Sequence, residues 1–520
     1  MNWLETLTLH SPALIVAIPL MGAFLTPIIS KINDKVRNVF AISVIALTGF
    51  FVLLLAQNVF ANGPTTYIFG DKNLTLPVVR ILFEVDSISI FMAIISVTLA
   101  FVALIYSWTF VKENDGLDKY YTLILLLVAS MLGMELTGDV FNFFVFLEIS
   151  CITSCALIAF YIHKGESLEA AFKYIVISSI GALFILFAIG LFYAQYDALN
   201  MATIANAIQF GFLDKIALVL LISALAMKAG LAPMHMWLLD SYGEAPASIT
   251  FILVGATQAS LYGALRICFT IYGNAFANIM PSVSSATIEW FIIALAIVTI
   301  LIGVIMALIQ TDFKRLIAYV AVAEIGYIFL GIGVGLTSLG VGYGNIALNG
   351  GVFHIFNDAL DIGLLFLVAG AVYYATKETS LDKMGGLARN MKYTAVFFII
   401  GLLAVSGMPP FNGFASKLLI YESTYQLNPI LAIIAILASI LLLAVFVKVF
   451  YSVFMGVELP KFKDVKEVPR SMLVAMGIIV TIIIIFGLFP NLVINNIVQP
   501  AADALVNHSI YISKVLPGGI

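Results

Sequence analysis

Charge is the scarcest property of this sequence. Asp, Glu, Lys and Arg make up 10% of its 520 residues, where a soluble domain carries about 25%. That excludes a soluble globular protein. Cysteine is nearly absent as well. Cys151, Cys155 and Cys268 all fall inside apolar stretches. Cys151 and Cys155 are four apart and share a helix face, but no further ligand stands near them, so ordinary packing is expected rather than a metal site. No nucleotide-binding loop, haem motif or iron–sulfur spacing occurs in the chain. A redox centre is therefore not expected here, nor any cofactor or nucleic-acid partner. A basic region ahead of the first apolar stretch is also missing, so that stretch reads as a span and not as a cleavable signal.

What the chain has is hydrophobicity, at 62%. Fourteen apolar stretches reach the length of about 17–25 residues that a helix needs to cross a bilayer. They are 12–30, 37–57, 86–111, 118–137, 140–162, 170–194, 216–239, 247–272, 287–308, 315–337, 351–375, 393–425, 429–455 and 471–489. Their length and continuous apolarity point to helices rather than barrel strands. The fold class is therefore an all-α membrane protein of about fourteen spans, with no soluble domain. The 40 Phe are ordinary lipid-facing filler. The net charge of −4 says little, but the placement of the bases says more: 17 of 25 fall in odd-numbered loops, from Lys31 to Arg470, and only Lys72, Arg80 and Lys215 in even ones. The positive-inside rule then puts both termini outside the cell membrane. Within 58–85, Thr66-Tyr-Ile-Phe and the run from Leu74 to Phe83 predict a short external hairpin. The mildly apolar tail from Pro490 is expected along the outer surface.

Two spans are interrupted, the seventh at Ala229-Gly-Leu-Ala-Pro233 and the twelfth at Gly407-Met-Pro-Pro410. Five segments separate them, so they cross in opposite directions. A matched pair of broken helices in opposite orientation marks inverted repeats; the plainer reading is a pair of tolerated kinks. The repeat reading divides the chain into helices 1–3 with the hairpin (1–115), a first repeat of helices 4–8 (116–275), a second of helices 9–13 (285–456), and helix 14 with the tail (457–520).

Charges inside such spans cost roughly 2.5–3.5 kcal/mol each on insertion scales, so each has a partner, a wet cavity or a task. Lys228 stands just before the first break and Glu148 on the fifth span. They are expected within ion-pair or one-water distance of each other: a carboxylate holds the ammonium charged, and weakening the contact releases its proton. The plainer reading is a static pair joining two helices. His235 and His354 are candidates for a relay near neutral pH, or packing histidines. Glu324, Asp358, Asp361 and Lys417 are the candidate acid–base path of the second half. Glu135 and Asp139, at the junction of segments four and five, are expected in outer water. They read either as gating or cation-binding groups or as solvated loop acids.

The motifs Leu136-Thr-Gly-Asp139-Val-Phe-Asn-Phe-Phe-Val-Phe-Leu-Glu148, Lys228-Ala-Gly-Leu-Ala-Pro-Met-His-Met-Trp237, Asp312-Phe-Lys-Arg-Leu-Ile-Ala-Tyr319 and Gly407-Met-Pro-Pro-Phe-Asn-Gly-Phe-Ala-Ser-Lys417 resemble those of the antiporter-like subunits of the complex I superfamily. That group includes Mrp-type sodium/proton antiporters, the proton-pumping subunits of complex I and archaeal membrane-bound hydrogenases. The form is most similar to the D-type Mrp subunit. The resemblance implies fourteen helices, two inverted five-helix half-channels, a Glu148–Lys228 pair and a terminal lysine at Lys417. The chain departs from that pattern in its centre. Gln258 stands where the family usually has a lysine, Asp358 and Ile362 where it often has histidine and lysine, and Glu324 where it often has histidine or glutamine.

The leading function is an ion-translocating subunit of a multi-subunit membrane complex, moving protons or exchanging them for sodium beside other membrane subunits. The alternative is a structural or coupling subunit with a degraded channel. A standalone transporter of an organic substrate is the third, and no residue set of one substrate's shape supports it. Continuity of polar groups from Lys228 through Gln258 to Lys417 separates the first two.

Overall fold

Apolar runs of this length can satisfy their backbone groups in lipid as α-helix, and they do. The computed structural model describes residues 3–69, 81–273, 286–338 and 342–516. The chain opens with α1 (Trp3–Ser30) and α2 (Asp34–Asn62), followed by strands β1 (Thr65–Ile68) and β2 (Leu82–Val85). The strands pair antiparallel, from Thr65↔Val85 to Ile68↔Leu82. Residues 74–80 of the expected second strand lie outside the described residues. Then come α3 (Ser87–Phe110), α4 (Leu117–Leu136), α5 (Val140–Ile158), α6 (Gly165–Tyr196), a short α7 (Met201–Ala207), α8 (Phe212–Ala229), α9 (Met236–Glu244) and α10 (Ala247–Leu265), which runs on into a π-helical turn, Arg266–Ile271. After them stand α11 (Ala286–Ile309), α12 (Phe313–Thr337), α13 (Gly342–Thr376), α14 (Lys392–Val405), α15 (Asn412–Leu427), α16 (Pro429–Phe450) and α17 (Arg470–Leu488). Three short helices close the chain: α18 (Pro490–Val493), α19 (Gln499–Val506) and α20 (His508–Val515).

Among the described residues, 12 unbroken helices are long and apolar enough to cross a membrane. The other two expected spans are each built from two helices, α8 with α9 and α14 with α15. Both breaks begin in the same way. Gly230 (φ 84°) and Gly407 (φ 69°) take the left-handed conformation that ends a helix. In the first, the Gly230 and Leu231 amides donate to Met227 and Ala226 carbonyls; in the second, Gly407 and Met408 donate to Ala404 and Leu403. Each is the paired closure of a Schellman motif. Side chains add to both closures. Trp237 Nε1 donates to the Met227 oxygen at 2.9 Å, and Lys417 Nζ donates to the Val405 oxygen at 2.7 Å. The Ala232 amide, beyond the first break, donates to Thr299 Oγ1 of α11.

The centre is formed by α10, α12 and α13, whose apolar windows are buried throughout. Small residues let these backbones approach. A methyl at Gly331 of α12 would sit 2.9 Å from Gly351 Cα of α13. The tail does not simply lie along a surface. α19 packs on α3 and α13, and α20 packs on α7, β1 and the π-helical turn, with Tyr511 buried.

Candidate functional site

Helical spacing puts the polar residues of α13 on one side. His354, Asn357, Asp358 and Asp361 follow at steps of three, four and seven, one face of a helix. All four are buried. They meet α15 across the second break, because Asn412 and Ser416 open α15 one turn apart and Lys417 follows. The contacts form a series. Asn412 Nδ2 donates to Asp361 Oδ1 at 3.1 Å and to Asn357 Oδ1 at 3.0 Å. Asn357 Nδ2 donates to Ser416 Oγ at 2.8 Å, and Ser416 Oγ lies 3.0 Å from His354 Nδ1. His354 Nε2 is 2.9 Å from Glu324 Oε2, and Glu324 Oε1 is 2.8 Å from Lys417 Nζ. The ammonium also donates to Ser439 Oγ at 3.2 Å and sits 4.3 Å from the centre of the Tyr327 ring. The expectation that Lys417 pairs with a carboxylate is met by Glu324.

The two halves touch through Gln258 of α10, whose Nε2 donates to Asp358 Oδ2. Gln258 Oε1 and Asp358 Oδ1 have no hydrogen-bond partner. Ile362, at the place of a family lysine, is packed in the apolar core.

Lys228 is buried at the end of α8 and lines a cavity of about 20 Å³ with Cys151, Ser150, Tyr174, Thr257 and Ser260, room for one water. Tyr242, on the same cavity, holds Thr257 Oγ1 at 3.1 Å, and Thr257 adjoins Gln258 on α10. This half therefore reaches the other through a hydroxyl-lined pocket, not through a second lysine.

Of the two distances expected, the direct Glu148–Lys228 ion pair is not formed. Lys228 Nζ meets α5 at Cys151 Sγ, 2.6 Å away, one turn beyond Glu148. Glu148 is half-buried and its Oε1 has no hydrogen-bond partner. The reason is register: the lysine stem runs past Gly181 of α6, where a methyl would stand 3.5 Å from Lys228 Cε, and that course aims it at Cys151. Cys151 is buried and free. His235 opens α9 as its N-cap, buried, with Nδ1 unpartnered.

Glu135 and Asp139 are not in water. Both are buried, Glu135 completely. Ser96 Oγ donates to Glu135 Oε1 at 2.5 Å. Asp139 is the N-cap of α5 and accepts the Asn142 amide at 2.7 Å. Burial pushes its carboxyl up to about 6, against the backbone amides of Asn142 and Phe141. Capping accounts for Asp139 without a cation.

Sequence reasoning missed the neutral members, Asn357, Asn412, Ser416, Ser439, Tyr242 and Thr257, which carry no signal of charge. It also missed the buried ion pair between Arg266 and Asp86. That one was findable, since Arg266 is a charge inside the eighth apolar stretch.

The sequence pattern of one family, described as NADH:quinone oxidoreductase/Mrp antiporter, TM, matches residues 137–443. The N-type subunit of NADH-quinone oxidoreductase from Desulforudis audaxviator is 30% identical over 516 residues, 95% of this chain and 99% of the relative. The D-type subunit of the Na(+)/H(+) antiporter from Alkalihalophilus pseudofirmus is 29% identical over 503 residues, covering 96% and 97%. Among solved structures, a chain of the membrane-bound sulfane sulfur reductase, an archaeal respiratory membrane complex, superposes with a TM-score of 0.85 at 28% identity, over 97% of this chain and 99% of that one. A chain of the Mrp complex from a Dietzia species shares the fold, with a TM-score of 0.87 at 23% identity over 99% and 100%.

Proposed function

The chain belongs to the NADH:quinone oxidoreductase/Mrp antiporter transmembrane family, and from that membership we propose that it is an ion-translocating membrane subunit of a larger complex. It moves protons along the buried series from Lys228 to Lys417, and exchanges them for sodium where the host complex is an antiporter. The similar proteins are subunits of NADH-quinone oxidoreductase, of Na(+)/H(+) antiporters and of an archaeal respiratory membrane complex. Other membrane subunits are therefore its partners.

One observation carries this reading: polar groups run almost without interruption from Lys228 to Lys417. A degraded channel would have filled with apolar side chains. Here Gln258 and Asp358 stand at the join and bond to each other. Glu324, Asp358 and Asp361 outnumber Lys417 as charged groups, and His354 stands among them. Uncompensated buried charge is costly, so the cluster must hold protons or a hard cation with oxygen ligands. In a proton cycle, water in the Lys228 cavity is the donor. The lysine and the carboxylates hold protons, His354 and Ser416 pass them, and the amides of Asn357, Asn412 and Gln258 fix the orientation of the acids. Lys417 is the last holder.

The matched closures at Gly230 and Gly407 support the two inverted repeats, helices 4–8 and 9–13, with the boundaries near 116–275 and 285–456. The basic odd-numbered loops support outward termini in a cell membrane. Asp361→Asn in the complex reconstituted in vesicles tests the substrate. Loss of sodium movement alone marks a cation site at Asp361; loss of proton movement marks the relay. No change in either, in an assembled complex, retires the ion path and leaves a structural subunit.

A further inference from the structure

A second buried acidic group lies outside the Lys228–Lys417 series, under the C-terminal helix. Glu84 of β2 is fully buried, and neither Oε1 nor Oε2 has a hydrogen-bond partner. Its neighbour Asp86 caps α3 through the Ser89 amide at 3.1 Å and forms an ion pair with Arg266. Arg266 is already committed. Its other donors serve Ser89 Oγ at 3.0 Å, the Tyr262 hydroxyl at 2.9 Å and Thr270 Oγ1 at 3.4 Å. Two carboxylates thus share one guanidinium, and Asp86 has it.

α20 closes this site. The Arg266 guanidinium carbon lies 4.7 Å from the centre of the Tyr511 ring and 5.2 Å from that of Tyr262, so it sits against both rings. The Tyr511 hydroxyl is buried beside the Glu84 carboxyl and is the donor nearest to it, short of full hydrogen-bond geometry. It and Glu84 Oε2 both face Gly138, within 3.3 Å and 3.2 Å of where a methyl there would stand. The other groups nearby are turned elsewhere. Glu135 accepts the Ser96 hydroxyl, Asp139 caps α5, and His508 at the start of α20 lies against Gly273. Thr66 opposite on β1 is uncharged. His10 of α1 is bonded to Tyr67.

We infer that Glu84 is a proton-binding site, and that the C-terminal helix α20 docks over it in the protonated form. An ionised carboxylate fully buried beside Asp86, with only the Tyr511 hydroxyl at hand, is costly, and one proton from bulk water removes that charge. Proton binding and docking are then one linked equilibrium. Consistent with this, burial pushes the Glu84 carboxyl well above the usual range; Arg266 opposes the shift, Asp86 adds to it, and the Tyr511 hydroxyl opposes it more weakly.

The sign follows from the raised value. Undocked, Glu84 gains water and its carboxyl titrates lower than when docked. Docking is fully favoured in acid. It weakens by up to about tenfold per pH unit once the undocked acid ionises, and levels off once the docked acid itself ionises.

The site does not depend on the transport reading, and its test involves no transport. Hydrogen exchange of residues 499–516 is measured in the purified complex at pH 6 and pH 9, corrected for the intrinsic pH dependence of exchange. The wild type is expected to lose protection there at pH 9 by at least tenfold. Glu84→Gln, which copies the shape of the protonated acid, is expected to keep the same protection at both pH values. A spin label at exposed Ser513 (Ser513→Cys) reports the same docking with Glu84 intact: immobile at pH 6 and mobile at pH 9. Equal protection of the wild type at both pH values, an unchanging spin label, or a Glu84→Gln variant that loses protection as the wild type does would each overturn the inference.

Discussion

Glu324→Gln is the sharpest perturbation of the second half. The Glu324 carboxylate spans two partners, Lys417 Nζ at 2.8 Å and His354 Nε2 at 2.9 Å, and all three side chains are 1–2% exposed. Glutamine keeps the volume and removes the charge. The Lys417 ammonium is then left with the Val405 carbonyl, Ser439 Oγ and the Tyr327 ring. None of these is an anion. Breaking a buried pair from one side costs roughly 3–5 kcal/mol, because the remaining charge stays buried. Removing both charges in Glu324→Gln/Lys417→Met should recover most of that loss, so the two changes couple by about 0.5–3 kcal/mol or more. Thermal unfolding of the assembled complex reads both the loss and the coupling, and proton flux in vesicles reads transport. The single variant should be the least stable of the set, and neither variant should move protons normally. A single variant as stable as the wild type, or a double variant less stable than the single, would refute the pairing as an energetic unit.

Two further outcomes follow from packing and capping. Gly331→Ala drives a methyl to within 2.9 Å of the Gly351 backbone and should cost about 1–3 kcal/mol by overpacking; Gly190→Ala, where a methyl meets nothing within 4 Å, should leave the melting temperature unchanged or raise it. Asp139→Ala removes the N-cap of α5 and should cost about 1 kcal/mol of stability, with sodium dependence unaltered if capping is its whole role.

Much of this fold is visible in the sequence because lipid leaves few choices. Run length alone marks the spans, and Gly230 and Gly407 mark the breaks, since the left-handed turn that ends a helix favours glycine. The pairing of Lys417 with an acid follows from charge balance. Which acid it takes, and what meets Lys228, do not follow. Those depend on the rotation of neighbouring helices, which a hydrophobic run with little amphipathic contrast leaves open. Hence charge alone pairs Glu148 with Lys228, whereas Cys151 holds the ammonium. Glu135 and Asp139 sit near a segment end, where sequence suggests water, but the junction is covered. β2 bridges to it, from Phe83 to Thr137, and the link before α7 bridges Asp139 to Asn200.

The proposed ion path crosses between the halves at Gln258 and Asp358. Asp358→Asn interrupts that crossing alone, because asparagine keeps an oxygen for Gln258 Nε2 and cannot carry a proton. Proton movement is measured in vesicles holding the intact complex, with subunit content checked by mass spectrometry. The expected result is a fall in proton flux of at least about tenfold, well within what a positioned acid or base contributes to proton transfer in catalysis, in a complex of unchanged composition. Wild-type flux from an assembled Asp358→Asn complex would contradict the path.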